Sequence, residues 1–143
     1  MKKILFLSII FFIIGCNSKE KKTNSNIEIY DESIISIIDE MAEFEILADS
    51  IILPEGPLWD ERSNSLLFVD VINNNVLKWN ESEGLSNYIM PSGNTGYAPN
   101  LGKGVLGANG MGFDTKGNLV LCQHGDRRLA IIENESNLNP SFT

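Results

Sequence analysis

The sequence predicts an all-β chain built from the blades of a β-propeller. Two observations carry that prediction. The first is an internal repeat. Glu55-Gly56-Pro57-Leu58-Trp59-Asp60 opens a segment that continues through Leu66-Leu67-Phe68-Val69-Asp70 and Val76-Leu77-Lys78-Trp79. Asn109-Gly110-Met111-Gly112-Phe113-Asp114 opens a second, continuing through Leu119-Val120-Leu121-Cys122-Gln123 and Leu129-Ala130-Ile131-Ile132. With one gap near Asn64 they align end to end, Glu55 on Asn109, Gly56 on Gly110, Trp59 on Phe113 and Asp60 on Asp114. The second observation is that each unit holds several short apolar runs separated by turn residues. A period of roughly 40–50 residues with several strands per unit is the pattern of propeller blades. Blades place equivalent positions around one axis. Two polar residues at one repeat position, Glu55 and Asn109, are therefore expected to face a shared centre.

The elements follow in order. Lys2 and Lys3 precede an apolar run over residues 4–15, the form of an export signal. The run is shorter than the ~20 residues a membrane-spanning helix needs. It closes on Ile13-Ile14-Gly15-Cys16, where a small residue before a cysteine resembles the bacterial lipobox. Residues 1–16 are thus expected to be a lipoprotein signal peptide and Cys16 the lipidated N-terminus, with the protein exported and lipid-anchored to the bacterial cell envelope. A plain secretory signal with an incidental cysteine is the weaker reading, because residues 18–26 are polar, and residues 17–30 read as a flexible tether. Over residues 31–42, Ile34, Ile35, Ile37, Ile38 and Met41 recur at helical spacing between acidic residues. They predict a short helix whose apolar stripe packs on the domain. Its acidic polar face does not suit a membrane surface. Phe44-Glu45-Ile46-Leu47-Ala48 reads as a strand.

The first repeat predicts strands at about 55–59, 66–70, 75–79 and 85–89, turned by Asn73-Asn74-Asn75 and Glu83-Gly84. Residues 91–107 are Gly-rich and weakly patterned. A loop of this length is uncommon and often functional; here it is expected to cross between blades and border a site. The second repeat predicts strands at about 109–113, 118–122 and 128–133, with Asp114-Thr115-Lys116-Gly117 as a turn. A fourth strand is expected to begin at Thr143. A closed propeller needs at least four blades. Residues 31–143 are therefore read as the truncated N-terminal part of one, with open sheet edges.

Eleven basic and nineteen acidic residues give a net charge of −8. That argues against nucleic acid as a partner, since phosphate binding needs a basic face. The two cysteines are Cys16 and Cys122. If Cys16 carries lipid, no disulfide forms within the chain. Cys122 lies in an alternating strand and is expected to be a small core residue. His124 two residues on does not make it a nucleophile, because nothing orients the base.

At the repeat blocks the sequence resembles the senescence-marker-protein / gluconolactonase / luciferin-regenerating (SMP-30-like) family. The matching runs are Leu53-Pro54-Glu55-Gly56-Pro57-Leu58-Trp59-Asp60, Leu67-Phe68-Val69-Asp70 and Val76-Leu77-Lys78-Trp79. With them go Ala108-Asn109-Gly110-Met111-Gly112-Phe113-Asp114 and Leu121-Cys122-Gln123-His124-Gly125-Asp126-Arg127-Arg128. The resemblance covers about residues 31–143. It implies a six-bladed β-propeller, of which about the first two blades are present here, preceded by a short helix. It also implies one divalent cation in the axial channel, calcium first and zinc or another ion as the alternative, and hydrolysis of sugar acid lactones. The family's first metal-binding Glu carries onto Glu55. Its Asn near metal and substrate carries onto Asn109. The remaining ligands, an Asn and an Asp of later blades, have no counterpart before Thr143. The Asp is the residue credited with the base role, so the catalytic residues are expected beyond Thr143.

Chemistry agrees with that implication. A hard divalent cation needs several oxygen ligands; Glu55 offers a carboxylate and Asn109 an amide carbonyl. Such an ion polarises a carbonyl and lowers the pKa of bound water. The competing reading, that both residues merely bond backbone at strand starts, loses to their equivalence in the repeat. His124, the sole histidine, is expected to be a turn or channel-wall residue, or a substrate contact beside the axis. Asp70 and Asp114 are expected to serve turns. Arg127-Arg128 is a strand-start pair, one of which would reach an anionic substrate. The expected function is a metal-dependent lactonase, gluconolactonase-like and incomplete in this chain. Its partners would be a small-molecule lactone and the membrane, the latter through the lipid anchor only. The alternatives are a non-catalytic lipid-anchored propeller that binds a carbohydrate or protein, and a non-functional gene product.

Overall fold

The computed structural model describes residues 27–39, 41–99, 106–133 and Thr143. The signal segment, Cys16 and most of the tether lie outside the described residues. The chain divides into two units, Met1–Glu45 and Ile46–Thr143.

In the first unit the expected helix over residues 31–42 shrinks to a 3-10 helix, Glu32–Ser36, with no buried residue. Asp31 caps it, its carboxylate accepting from the Ser33 amide at 2.8 Å. The sequence explains the early stop. Four isoleucines within five positions, Ile34, Ile35, Ile37 and Ile38, crowd χ1 against the preceding turn. The Ser36 hydroxyl donates to the Ser33 carbonyl at 2.7 Å, and Asp39 accepts from the Met41 amide at 2.8 Å. Such local bonds compete with the helical ladder. The strand expected at residues 44–48 does not form; Phe44 and Ile46 are exposed. A strand needs a neighbour for its N–H and C=O groups, and no strand among the described residues pairs with this one.

The second unit holds two antiparallel meanders. One sheet is β1 (Pro54–Asp60), β2 (Ser65–Asp70), β3 (Asn75–Asn80) and β4 (Gly84–Ile89), hydrogen-bonded in chain order. The other is β5 (Ala108–Phe113), β6 (Leu119–Gln123) and β7 (Arg128–Ile131), also in chain order. Each strand lies within one or two residues of its expected position. The turns use the side chains the sequence offers. Asn64 and Asn74 take left-handed backbone at φ 47° and 55°, which asparagine tolerates. Asp114 accepts from the Lys116 and Asn118 amides, each at 2.8 Å. Asp70 accepts from the Asn73 side chain at 2.7 Å. Both aspartates serve turns, as expected. After β7, the Ile131 amide donates to the Thr143 carbonyl at 3.1 Å, and the Thr143 amide returns the bond at 3.3 Å. That reciprocal exchange is antiparallel pairing, so Thr143 occupies a fourth-strand position.

The core lies between the sheets. Leu67, Val69, Val76 and Ile89 of the first meet Ala108, Leu119 and Leu121 of the second, with Leu58, Met111 and Phe113 packed at the margin. Burying each such aliphatic side chain contributes about 1.5–3 kcal/mol. Strand alternation decides which residues take part. In β6, Leu119, Leu121 and Gln123 are buried while Cys122 is exposed. The expectation that Cys122 is a core residue is therefore wrong. It is a free, exposed thiol on the face opposite Leu121.

The repeat persists in three dimensions. The β1–β2 register slips by one residue between Glu55 and Leu58. The β5–β6 register slips by one between Ala108 and Met111. The same bulge falls at the same repeat position in both sheets.

Candidate functional site

Glu55 is the second residue of β1 and Asn109 the second residue of β5. These strands are the ones through which the sheets make most of their contact. Gly56 makes the approach close. Its φ is +56°, and a Cβ built there would lie 2.6 Å from the Asn109 carbonyl oxygen and 2.9 Å from Gly110 Cα. Real side chains do not fit such a space, so glycine is required on both counts. The backbone next to Glu55 thus touches the backbone of Asn109. Both side chains are exposed, which leaves their oxygens accessible.

His124 begins the turn between β6 and β7, and it too is exposed. A concavity lined by Asn109, Cys122, Gln123, His124, Arg127 and Arg128 brings the Asn109 and His124 candidates together with the arginine pair. Glu55 does not line it; Glu55 stands on the adjoining strand.

The long loop after β4 is fastened to this turn. Asn74 Oδ1 accepts from the amides of Ser92, Gly93 and Asn94 at 3.1, 2.9 and 3.0 Å. Asp126 accepts from the Thr95 amide at 2.9 Å and from the Thr95 hydroxyl, while its own amide donates to the Gly93 carbonyl at 2.8 Å. Buried Gln123 donates to the Ser92 carbonyl at 3.1 Å and accepts from Arg128 Nε at 2.7 Å. The Arg128 guanidinium lies 3.9 Å from the Tyr97 ring centre, and Arg127 donates to the Pro99 carbonyl at 2.8 Å. The loop therefore borders the candidate site, as its length suggested. At the far end of the strands, Arg62 pairs with Asp60 at 2.9 Å, lies over Phe113 and donates to the Gly117 carbonyl. That residue bridges the two sheets.

Asn74, Gln123 and Asp126 form the supporting shell that sequence reading missed. All three are buried polar residues. For Asp126, burial pushes the carboxyl upward. Hydrogen bonds from Thr95 and Ala98 and the charge of Arg128 outweigh that and hold it below its ordinary value.

The donor set bears on a cation. Glu55 supplies one carboxylate and Asn109 one amide oxygen, the ligand types a hard divalent ion takes. Among the described residues no group of three or more His, Cys, Asp or Glu stands ready to hold a metal. Two donors are fewer than the oxygens such an ion takes.

Comparison with known proteins adds the following. The family model described as the SMP-30/gluconolactonase/LRE-like region matches residues 53–142. A curated gluconolactonase of Zymomonas mobilis subsp. mobilis (strain ATCC 31821 / ZM4 / CP4) is 28% identical over 117 residues, which span 82% of this chain and 33% of that protein. The chain thus spans about a third of that relative's length. A crystal structure assigned as a gluconolactonase matches with a TM-score of 0.51 at 25% identity, covering 67% of this chain and 28% of the other. A gluconolactonase structure from Xanthomonas campestris matches with a TM-score of 0.51 at 23% identity over 66% and 28%. This last likeness speaks to the fold alone.

Proposed function

The chain belongs to the SMP-30/gluconolactonase/LRE-like family, and from that premise we propose that it forms the first part of a metal-dependent lactonase acting on sugar acid lactones. The observation that carries the reading is the contact of Gly56 with Asn109, which sets Glu55 beside Asn109 at equivalent positions of two blades. In this proposal Glu55 and Asn109 hold a divalent cation, calcium by preference, since both donors are hard oxygens. When bound, such an ion polarises the lactone carbonyl and lowers the pKa of water. The Glu55 carboxylate supplies the negative charge that draws the cation. The Asn109 amide adds a neutral ligand and, with His124, a polar wall for the hydroxyl groups of a sugar lactone. The tethered loop keeps that wall in place. The remaining ligands and the base would come from further blades. Lipid attachment at Cys16 and export to the cell envelope belong to the same proposal, on the strength of the ordered signal and Gly15-Cys16.

The test is hydrolysis of an aldonolactone, followed as acid release, with chelator and calcium or zinc add-back. A form carrying the further blades is expected to be active and chelator-sensitive. Glu55→Gln in that form is expected to cut turnover roughly 100-fold or more, beyond what loss of a supporting hydrogen bond costs a metal site. The 143-residue chain alone is expected to be silent. Chelator-resistant turnover by that chain would place the chemistry elsewhere.

A further inference from the structure

Resting on the lactonase reading, we propose that Arg127 binds a carboxylate carried by the substrate, so that the site prefers the monolactone of a dicarboxylic sugar acid to a neutral aldonolactone. The repeat singles this residue out. Asp70 pairs with Asn75 across the turn between β2 and β3, and Gln123 pairs with Arg128 across the turn between β6 and β7. The last residues of the two turns are therefore equivalent, Asn74 in the first and Arg127 in the second. Both stand in left-handed backbone, at φ 55° and 56°. Asparagine tolerates that conformation, whereas a bulky side chain is an outlier there. Such outliers gather at binding sites, where the surrounding structure holds them. Asn74 fastens the loop amides of residues 92–94 without carrying a charge. Tethering the loop from this position does not call for a cation.

The surroundings of Arg127 suit an oxyanion. Its Nη1 donates to the Gly125 carbonyl at 3.0 Å and its Nη2 to the Pro99 carbonyl at 2.8 Å. Both acceptors are uncharged, and the residue is exposed. The two bonds orient the planar group and leave three of its five N–H donors without an acceptor among the described residues. A guanidinium so held offers a carboxylate two parallel charge-assisted bonds. Arg128 differs. It is half-buried, bound through Nε to Gln123 and laid over Tyr97, with its charge set against Asp126. Arg127 lines the same concavity as Asn109 and His124, and among the described residues no Asp or Glu lines it. The Pro54–Asp70 and Ala108–Gln123 pairings put the starts of β1 and β5 beside the turns that end in Asn74 and Arg127. Arg127 thus stands at the same end of the sheets as Glu55 and Asn109, where a second anchoring point orients a lactone.

Titration of the isotope-labelled full chain, followed by NMR, tests this without turnover. An aldaric acid monolactone, which keeps one free carboxylate, is compared with a neutral aldonolactone of the same ring size. The charged lactone is expected to shift the amides of residues 124–128 and the Arg127 Nε–H resonance. It is expected to bind at least roughly tenfold more tightly than the neutral one, the effect of hydrogen bonds to a charged group. Arg127→Asn, which places the residue of the first turn in the second, is expected to abolish the preference. Arg127→Lys, which keeps the charge without the fork, is expected to retain part of it. The Thr95 amide, held by Asp126, is expected to keep its resonance in both variants. Equal affinity for the two lactones in the wild-type chain, or no response to either, would overturn the proposal. So would a preference that survives Arg127→Asn. Lost preference with a displaced Thr95 amide in both variants would overturn it by making Arg127 a tether of the loop. Tighter binding of inorganic phosphate than of the charged lactone would overturn it by assigning the fork to a phosphorylated sugar. None of these outcomes touches the lactonase reading, which rests on chelator-sensitive hydrolysis of the neutral lactone by the form with further blades.

Discussion

Gly56→Ala is expected to destabilise the second unit by about 2–5 kcal/mol, the sum of two separate costs. The first is conformational: the backbone stands at φ +56°, and a Cβ in left-handed backbone costs about 1–2 kcal/mol. The second is steric. The new methyl would meet the Asn109 carbonyl and Gly110 Cα, which are backbone atoms and cannot rotate away. Forced overpacking of this kind costs about 1–3 kcal/mol. Gly84 provides the control. It has φ +71° and nothing within 4 Å of a built Cβ, so Gly84→Ala incurs only the first cost. Urea midpoints of the two variants at equal m-value give the difference. A larger loss at Gly56 is the predicted result. Equal losses would mean that β1 and β5 do not approach as described.

Asp126→Ala is expected to cost about 1.5–3 kcal/mol, the range for hydrogen bonds to a charged group. The carboxylate accepts from Thr95 twice, and its removal leaves donors of the loop without an acceptor. Asp126→Asn carries the pH signature. The folded carboxyl titrates below its ordinary value of 3.8. The unfolded chain therefore binds this proton first as pH falls. The carboxylate's contribution is fully present above the unfolded value and disappears as pH drops through the folded one. Wild type is expected to lose stability more steeply than Asp126→Asn as the pH falls through and below 3.8, the ordinary carboxyl value, and the two curves should converge in acid. Asp60 keeps a residual slope in both proteins. Burial pushes its carboxyl up, and bonds from Arg62 and Ser63 outweigh that and hold it below its ordinary value. Parallel curves would remove Asp126 from the account.

The seven strands were legible because a strand leaves a local mark. Alternating apolar residues between Asn- and Gly-bearing turns require no knowledge of distant chain. The repeat added what single strands lack: which positions of different strands are equivalent. Glu55 and Asn109 were found that way. Cys122 shows where the pattern stops. Alternation says that Leu121 and Cys122 face opposite ways, but not which of the two faces is covered. The segment at residues 44–48 has strand composition and no pairing partner, and pairing is not a local property. The isoleucine-rich stretch before it has helical spacing but a side-chain type that resists long helices. The tethers of Asp126 and Gln123 reach across 31 residues, and those of Asn74 across 18 to 20. Nothing local in the turn Gly125-Asp126-Arg127 announces Thr95 as its partner.

In the proposed site, two equivalent strand starts bring Glu55 and Asn109 to one cation. Manganese titration of the isotope-labelled chain tests it most directly, because a paramagnetic ion broadens only the amide resonances near it and reports even weak binding. The amide resonances of Glu55, Gly56 and Leu58 and those of residues 108–111 are expected to broaden together, at the same manganese concentration, and Glu55→Gln is expected to diminish both sets. Broadening at one set without the other, or centred on the turn aspartates Asp60 and Asp114, would contradict it.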